Sequence, residues 1–284
     1  MNYELVTVIN QGSPVWEASK KRLKENNGKV LSILPSQDFS KLIQDEKVEG
    51  FNLFDFLTKR TYDLEQMMYF NQAPVPSLSE IFMNADFSIS IIHEGDEIGT
   101  MSLFPNTRRL VKNIQYKHTD NRKDLTEEYT IDGKLFSEIF YFNDKPQEVH
   151  FYNDKHIPVI SYFFYDGKIE YVTLNDGYTG RVISSYETIE QLIAEQISKI
   201  LTINDKVTIS YLGMELFSLA KTTSHNTVYL NESPLDDKGN IKKNLLYILQ
   251  DNIKYIHEVK MSLEHKQMLI KKGVSVAKVS VIKD

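Results

Sequence analysis

The chain contains no cysteine among its 284 residues. Disulfide bonds, thiol nucleophiles and zinc–thiolate sites are therefore excluded. It has no apolar run near the ~20 residues that a membrane-spanning helix needs, and no basic-then-apolar signal segment at its start. A basic excess is also lacking, because 33 Lys and Arg stand against 39 Asp and Glu. This balance argues against nucleic acid as a partner. We expect a cytoplasmic protein, and peripheral contact with the inner face of the cell membrane stays open.

The common catalytic and phosphate-binding signatures are missing as well. We find no Gly-x-Ser-x-Gly elbow, no Walker loop and no Gly-x-Gly-x-x-Gly. The seven histidines are scattered, and none stands at ligand spacing with another histidine or with a carboxylate on a helix. Residues 236–239 (Asp-Asp-Lys-Gly) suit either an acidic site or a surface turn, and we favour the turn. We therefore predict no catalytic residue, no metal and no cofactor.

The most regular stretch is residues 124–184, which contains three near-copies of one phrase at 141–145, 151–155 and 164–168. Each copy contains Asn-Asp or Asp-Gly, which tolerate the left-handed backbone of tight hairpin turns. Alternating aromatic and β-branched residues lie between these turns. Strands repeated at this spacing predict an antiparallel meander. The hairpins are predicted to begin at residue 87, with 87–92 pairing with 98–104.

The flanks of the meander read as α/β. Residues 5–9 predict a strand covered on both faces, and Ser13 and Pro14 predict a helix cap and first turn. A strand at 29–34 and a helix from about Ser36 follow. After the meander, Ser184 and Glu187 resemble a capping box ahead of an amphipathic helix. Further strands are predicted at 207–210, 227–230, 255–259 and 276–282, with helices at 51–57, at 240–250 and after Ser262.

These patterns predict an α/β plus antiparallel β fold, a Rossmann-like parallel sheet interrupted by a large β-meander. We assign residues 1–70 to the first part of the α/β domain, 71–184 to the extended antiparallel insertion, and 185–284 to the return to the α/β domain. The Gly12 loop follows the first strand, where such sheets bind ligands. A phosphate site and an ordinary strand-to-helix turn both stay open there, and the turn is favoured.

Residues 69–76 (Tyr-Phe-Asn-Gln-Ala-Pro-Val-Pro) form the most distinctive phrase of the chain. Its two prolines fix an extended backbone and donate no hydrogen bond. Two interpretations stay open. The phrase is either a rigid linker into the sheet or a surface that meets a partner.

This phrase, followed by Glu80-Ile81, carries a resemblance to a known family, together with residues 109–112, 179–183 and 239–241. The chain resembles bacterial glycosyltransferases of the GT-B architecture, family-4-like, that have an extended β-sheet insertion. Within that group it is most similar to the GtfB-type glycosyltransferase-stabilising subunit of the accessory Sec system, which serves glycosylation of serine-rich-repeat adhesins.

The resemblance implies a non-catalytic subunit. Its β-sheet insertion would bind a catalytic glycosyltransferase subunit, and the protein would help to hold a Ser/Thr-rich acceptor polypeptide. The contact residues that we infer from it are Trp16, Glu17, Tyr69, Asn71, Pro74 and Pro76. For Trp16, burial against the sheet is an equally good interpretation.

Two departures from the active enzymes support this view. Their phosphate clamp and paired glutamates lie in a second Rossmann half, so we expect either a piece of a longer protein or a short relative. Active relatives tend to carry histidine after the strand matching 227–230, where this chain has Asn231 and Glu232. The main alternative is the acceptor-binding half of a retaining transferase with a nucleotide-sugar donor and a protein or teichoic-acid acceptor. A scaffold unrelated to glycosylation is a third interpretation, which the α/β flanks disfavour.

Overall fold

The computed structural model describes residues 1–63, 65–105, 107 and 109–282. Within them the chain forms a seven-stranded parallel sheet with helices and a ten-stranded antiparallel sheet. The predicted fold class is therefore confirmed. The chain divides into two compact units, Met1–Pro35 with Leu42–Leu53 and Glu190–Asp284, and Ser36–Lys41 with Phe54–Ile189.

The elements follow one another in three groups. The first group is β1 (Asn2–Val6), α1 (Pro14–Glu25), β2 (Lys29–Ser32), α2 (Phe39–Glu46), β3 (Gly50–Asn52) and α3 (Leu53–Thr58). The second is a 3₁₀ turn (Phe70–Gln72), β4 (Glu80–Met83), β5 (Ile89–His93), β6 (Asp96–Leu103), β7 (Val111–Lys117), β8 (Lys123–Tyr129), β9 (Leu135–Phe142), β10 (Lys145–Tyr152), β11 (Pro158–Tyr165), β12 (Lys168–Asn175) and β13 (Val182–Tyr186). The third is α4 (Ile189–Ile200), β14 (Lys206–Ile209), α5 (Met214–Ser218), β15 (His225–Tyr229), α6 (Lys243–Leu249), β16 (Ile256–Met261), α7 (Leu263–Lys271) and β17 (Val279–Val281).

The parallel sheet has the order β17-β16-β15-β14-β1-β2-β3, so the strand order reverses between β1 and β14. Its central strands are apolar, and Leu5, Leu31 and Val228 are at most 1% exposed. Burial on both faces explains these continuous apolar runs. The predicted cap at Ser13 is confirmed, because its Oγ accepts the Trp16 N–H at 3.2 Å.

The hairpin turns of the antiparallel sheet follow the sequence pattern at two of the three copies. Asn143 and Asp144 both have positive φ, as do Asp166 and Gly167, which is the two-residue turn that matches strand twist. The middle copy differs. There the Asn153 side chain accepts the N–H groups of Lys155 and Ile157 and closes a longer loop.

The two faces of this sheet are covered at opposite ends. A cluster around Ile89, Met101 and Ile114 includes Ala73 and packs against Met68, Phe70 and Val75, so residues 68–75 cover β5 to β7. Cross-strand partners place Ile114 on the same face as Glu127, Glu138 and His150. Phe151 neighbours His150 and thus points to the other face. On that face its ring lies 4.9 Å from the ring of Phe54 in α3.

Five details differ from the sequence predictions. Ser184 caps no helix, since it lies in β13 opposite Leu174 and α4 begins only at Ile189. Phe87 begins no strand. It lies in the turn before β5 with φ 68. The short strands β3 and β4 and the helix α5 were not predicted, because each is too short to show a period.

Candidate functional site

Among the described residues, the strand β4 forms one end of the antiparallel sheet and pairs with β5 alone. Its residues and their neighbours carry large exposed apolar side chains. Phe82 is 58% exposed, Phe87 in the following turn is 78% exposed, and Leu78 before the strand is 89% exposed. An unpaired, apolar sheet edge of this kind is a ready site for association with another chain. We call Leu78, Phe82, Met83 and Phe87 the β4 edge patch.

The 69–76 phrase is anchored beside this edge by backbone hydrogen bonds to the start of β7. The Phe70 N–H donates to the Arg109 carbonyl at 3.0 Å, and the Val111 N–H donates to the Met68 carbonyl at 3.1 Å. The Tyr116 hydroxyl donates to the Pro74 carbonyl at 3.3 Å. The phrase is thus an ordered cover of the sheet. Its tyrosine remains 38% exposed.

Two open cavities flank the patch and share Met83. The first, of about 550 Å³, is lined by Tyr69, Phe70, Asn71, Met83 and Arg109. The second, of about 430 Å³, includes Phe87 and Phe104. Aromatic and methionine side chains beside an arginine are the residue types enriched at the centres of protein–protein interfaces.

The backbone at Phe87 adds to this description of the edge. A bulky residue rarely adopts positive φ, and such residues concentrate at functional sites. Asp86 braces the turn, because its Oδ1 accepts both the N–H and the hydroxyl of Ser88, the hydroxyl at 2.6 Å. These hydrogen bonds, that from the Ser88 hydroxyl first, lower the pKa of Asp86. The turn is therefore held with its aromatic ring outward.

Sequence reasoning identified Tyr69 and Asn71, which line the first cavity. Pro74 and Pro76 are exposed in the same segment. It missed Phe82, Met83, Phe87 and Arg109. The sequence signal for these four residues was weak. It consisted of one apolar pair after the prolines, without an alternating pattern over a longer run.

The other two inferred contact residues belong to the parallel-sheet unit. Trp16 is only 3% exposed, and its indole N–H donates to Glu46 Oε2 at 2.9 Å. Lys20 donates to the same carboxylate oxygen at 2.7 Å. Glu17 lies at the surface and pairs with Lys20 at 2.8 Å. This arrangement places Trp16 in a buried, fully partnered position.

The carboxyl ends of β1 and β14 flank the point where the strand order reverses, which is where open α/β sheets usually bind ligands. Glu215 of α5 occupies this position and is 3% exposed. Its Oε1 accepts the Thr7 N–H at 3.3 Å. A backbone donor that could bind a phosphate is thus already used by a carboxylate. Gly12 nearby along the chain has φ 75, as a strand-to-helix turn requires.

A polar cavity of about 470 Å³ lies over one face of the parallel sheet and includes the first residues of three strands, Asn2, Lys206 and His225. Its most buried charges neutralise each other, because Arg22 donates to both oxygens of Glu4, each at 2.7 Å. Burial raises the pKa of Glu4, and Arg22 acts in the opposite direction.

Residues 236–239 form the surface turn favoured from the sequence, since the Gly239 N–H donates to the Asp236 carbonyl at 2.9 Å. Across the described part of the chain, no group of three or more histidine, aspartate or glutamate side chains is arranged to hold a metal ion. Nor does any described helix have the length and apolar character to cross a membrane.

No family model and no curated protein matches the chain. Solved structures do match its fold. The glycosylation associate protein (Gap123) complex from Streptococcus agalactiae matches 100% of this chain and 60% of its own, with 12% identity and a TM-score of 0.75. Accessory secretory protein 1, 2 and 3 in Streptococcus pneumoniae matches 100% and 62%, with 11% identity and a TM-score of 0.77.

The pneumococcal O-GlcNAc transferase GtfA, solved with UDP and GlcNAc, also matches. It covers 99% of this chain and 59% of its own, at 12% identity and a TM-score of 0.74. The chain thus spans about 60% of the length of these proteins. The resemblance found in the sequence is confirmed for the fold, which this chain shares with a glycosyltransferase and with glycosylation-associated and accessory secretory proteins.

Proposed function

We propose that the protein is a non-catalytic subunit that stabilises a catalytic glycosyltransferase and helps to bind its Ser/Thr-rich acceptor, a serine-rich-repeat surface protein. The observation that carries this proposal is the β4 edge patch, an unpaired strand with Phe82 58% and Phe87 78% exposed. We propose the equivalent sheet edge of the catalytic subunit as its occupant. Strand addition would satisfy the free backbone groups of β4, and the two aromatic rings would be buried.

The organisation proposed from the sequence gives each part a role. Residues 71–184 are the partner-binding insertion, and 1–70 and 185–284 are the α/β domain. Tyr69, Asn71, Pro74 and Pro76 are proposed to extend the partner surface beside the patch. Trp16 and Glu17 stay proposals from the resemblance alone, and the burial of Trp16 favours a structural role. Peripheral membrane contact and a cytoplasmic location belong to the same proposal.

The absence of a donor site in this part of the protein is supported by Glu215. A phosphate at the carboxyl ends of β1 and β14 would meet a buried carboxylate, and the Thr7 N–H already donates to that carboxylate at 3.3 Å. At the end of β15, Glu232 pairs with Lys242 at 2.7 Å. One of the two residues that follow this strand, where the resemblance leads us to expect a histidine in active enzymes, is therefore held in an ion pair.

The test is co-expression of this protein with the catalytic glycosyltransferase of the same organism, followed by light scattering of the purified material. A stable complex with raised transferase activity is expected. Phe82→Lys should weaken the complex at least about tenfold, because a charge would enter the apolar centre of the interface. Ile203→Lys is the matched control, since Ile203 is 75% exposed in the parallel-sheet unit. Equal binding by both variants would refute the β4 edge as the interface.

One alternative is favoured by a specific observation. GtfA, a transferase solved with UDP and GlcNAc, matches with a TM-score of 0.74, close to the 0.75 of the Gap123 complex. The protein would then be the acceptor-binding half of an active retaining enzyme. Calorimetric titration with UDP-GlcNAc separates the two functions. Nucleotide binding by the protein without its partner would favour the enzyme.

A further inference from the structure

The opposite end of the antiparallel sheet carries a second edge, β13, which pairs only with β12 in the part of the chain that the structure describes. Its sequence, Val-Ile-Ser-Ser-Tyr, contains none of the charges or prolines that normally protect an edge. Val182 and Ile183 are 60% and 64% exposed. Such an edge can accept another extended chain by main-chain hydrogen bonds.

A cavity of about 410 Å³ adjoins the start of this strand. Ile183 lines it, and a bulge in the pairing of β12 with β13 skips this residue. Bulges commonly re-aim a side chain, and here the bulge joins the edge to the cavity. Leu57, Val159 and Leu174 add apolar surface.

The cavity wall contains a buried acceptor without a partner. Asn175 is 7% exposed, and its Nδ2 donates to the Pro158 carbonyl at 3.1 Å. Since a carbonyl only accepts, this contact fixes the orientation of the amide. Its Oδ1 is then left without a hydrogen bond among the described residues. This oxygen is itself buried, but Thr58 and Asn153 also line the cavity and give its wall polar side chains that suit a hydroxyl or an N–H group.

The loops around the cavity are held by side-chain hydrogen bonds. The Asn153 Nδ2 donates to the Gly177 carbonyl at 2.7 Å. Asp176 Oδ1 accepts the N–H of Thr179 and its hydroxyl, both at 2.8 Å. These bonds, that from the Thr179 hydroxyl first, lower the pKa of Asp176. Binding to preformed loops avoids an ordering cost.

The charges at the rim cancel. Lys59 and Lys155 stand against Asp154 and Asp176 in the lining of the cavity. Tyr178 is 71% exposed, and Lys155 Nζ lies 4.9 Å from the centre of its ring. The rim therefore has no excess of either sign to attract a charged ligand. An uncharged occupant with small hydroxyl groups fits both this rim and the polar side chains of the lining.

We infer that an extended, uncharged Ser/Thr-rich polypeptide adds to β13 as a further strand and places one hydroxylated side chain in this cavity. The inference rests on the proposed acceptor-binding role and assigns that role to the sheet end opposite the β4 edge patch. Threonine is β-branched and suits an added strand. The peptide N–H and C=O groups would pair with β13, while the hydroxylated side chain would enter the cavity.

The test is fluorescence anisotropy of the full chain with a labelled, unmodified peptide of Ser, Ala and Thr. Ile183→Lys should weaken binding about tenfold, since it places a charge on the edge. Gly177→Leu should do the same by filling the cavity. A Cβ at Gly177 lies in ordinary contact with Asn153 at 3.4 Å and Val159 at 3.8 Å, so the backbone tolerates the change. Ile203→Lys is the matched control and should bind normally.

A second peptide, with proline at every other position, tests the strand addition itself. Proline donates no backbone hydrogen bond, so this peptide should bind at least about tenfold more weakly. Equal binding by the wild type, Ile183→Lys and Gly177→Leu would overturn the inference and leave the acceptor role elsewhere in the protein. No binding of the first peptide by the wild type would refute the acceptor role as well, while the complex with the transferase is measured separately.

Discussion

Asp55 offers the sharpest test of the electrostatics inside the antiparallel-sheet unit. It lies in α3 and is 9% exposed. Burial raises its pKa from 3.8 to about 6, and the charges of Asp132 and Asp154 act in the same direction. The Tyr62 hydroxyl and the Arg60 guanidinium oppose the shift. Because burial dominates, the folded protein holds this proton more tightly than the unfolded chain.

The sign of the effect follows from that difference. Between pH 3.8 and about pH 6 the folded state binds more protons, so the free energy of unfolding falls as the pH rises. Stability is greatest below the unfolded pKa, and the loss is complete above the folded pKa. A shift of one pKa unit corresponds to about 1.36 kcal/mol. The ionisation of Asp55 therefore lowers the free energy of unfolding by about 3 kcal/mol at pH 8 and by about half of that at pH 5.

The perturbation is Asp55→Asn, which keeps the shape and removes the ionisation. We expect it to raise the free energy of unfolding by about 2–3 kcal/mol at pH 8 and by clearly less at pH 5. Urea unfolding by circular dichroism gives the global value, and hydrogen exchange of the β9 to β11 amides reports on this unit. Asp166→Asn is the control, because that side chain is 82% exposed. A destabilised Asp55→Asn protein at pH 8 would refute the reasoning and show that Arg60 needs the carboxylate.

Two further substitutions test the packing of each unit by urea unfolding. Gly133 has φ 80, and a Cβ there would lie 2.5 Å from the Cβ of Met68. Gly133→Ala should therefore lower the free energy of unfolding by more than about 2 kcal/mol. Gly167 also has positive φ (75), but a Cβ there meets open space, so Gly167→Ala should lower it by only about 1 kcal/mol. Equal costs would exclude the steric contact. In the parallel-sheet unit, Arg22→Met should lower the free energy of unfolding by about 3 kcal/mol. The Glu4 side chain is only 6% exposed, and the substitution removes the guanidinium that pairs with its carboxylate. Adding Glu4→Leu should recover most of that loss, and no recovery would mean that the pair itself stabilises the fold.

Much of the fold could be predicted because its determinants are local. Asn143-Asp144 and Asp166-Gly167 both adopt the left-handed turns that their residue types favour. Ser13 caps α1 through a contact three residues away. The same locality misled the prediction at Ser184, because the capping-box spacing to Glu187 is present but pairing with Leu174 places Ser184 in a strand. The strand pairing of β13 with β12 therefore outweighed a single helix cap at Ser184.

The candidate sites depended on contacts between distant parts of the chain. Trp16 is buried, and its indole N–H donates to Glu46, thirty residues later in the chain. Sequence proximity to the first strand could not show this.

The sequence alone determined the alternation of α/β and meander, the turns, and the resemblance that pointed to this fold, since these depend on backbone preferences over a few residues. Only the tertiary structure decided which strands end the sheet. Within the described residues, β4 and β13 end the sheet, and Phe82 and Ile183 on these strands are exposed. Pairing order is a property of the whole sheet, and burial depends on what covers each face.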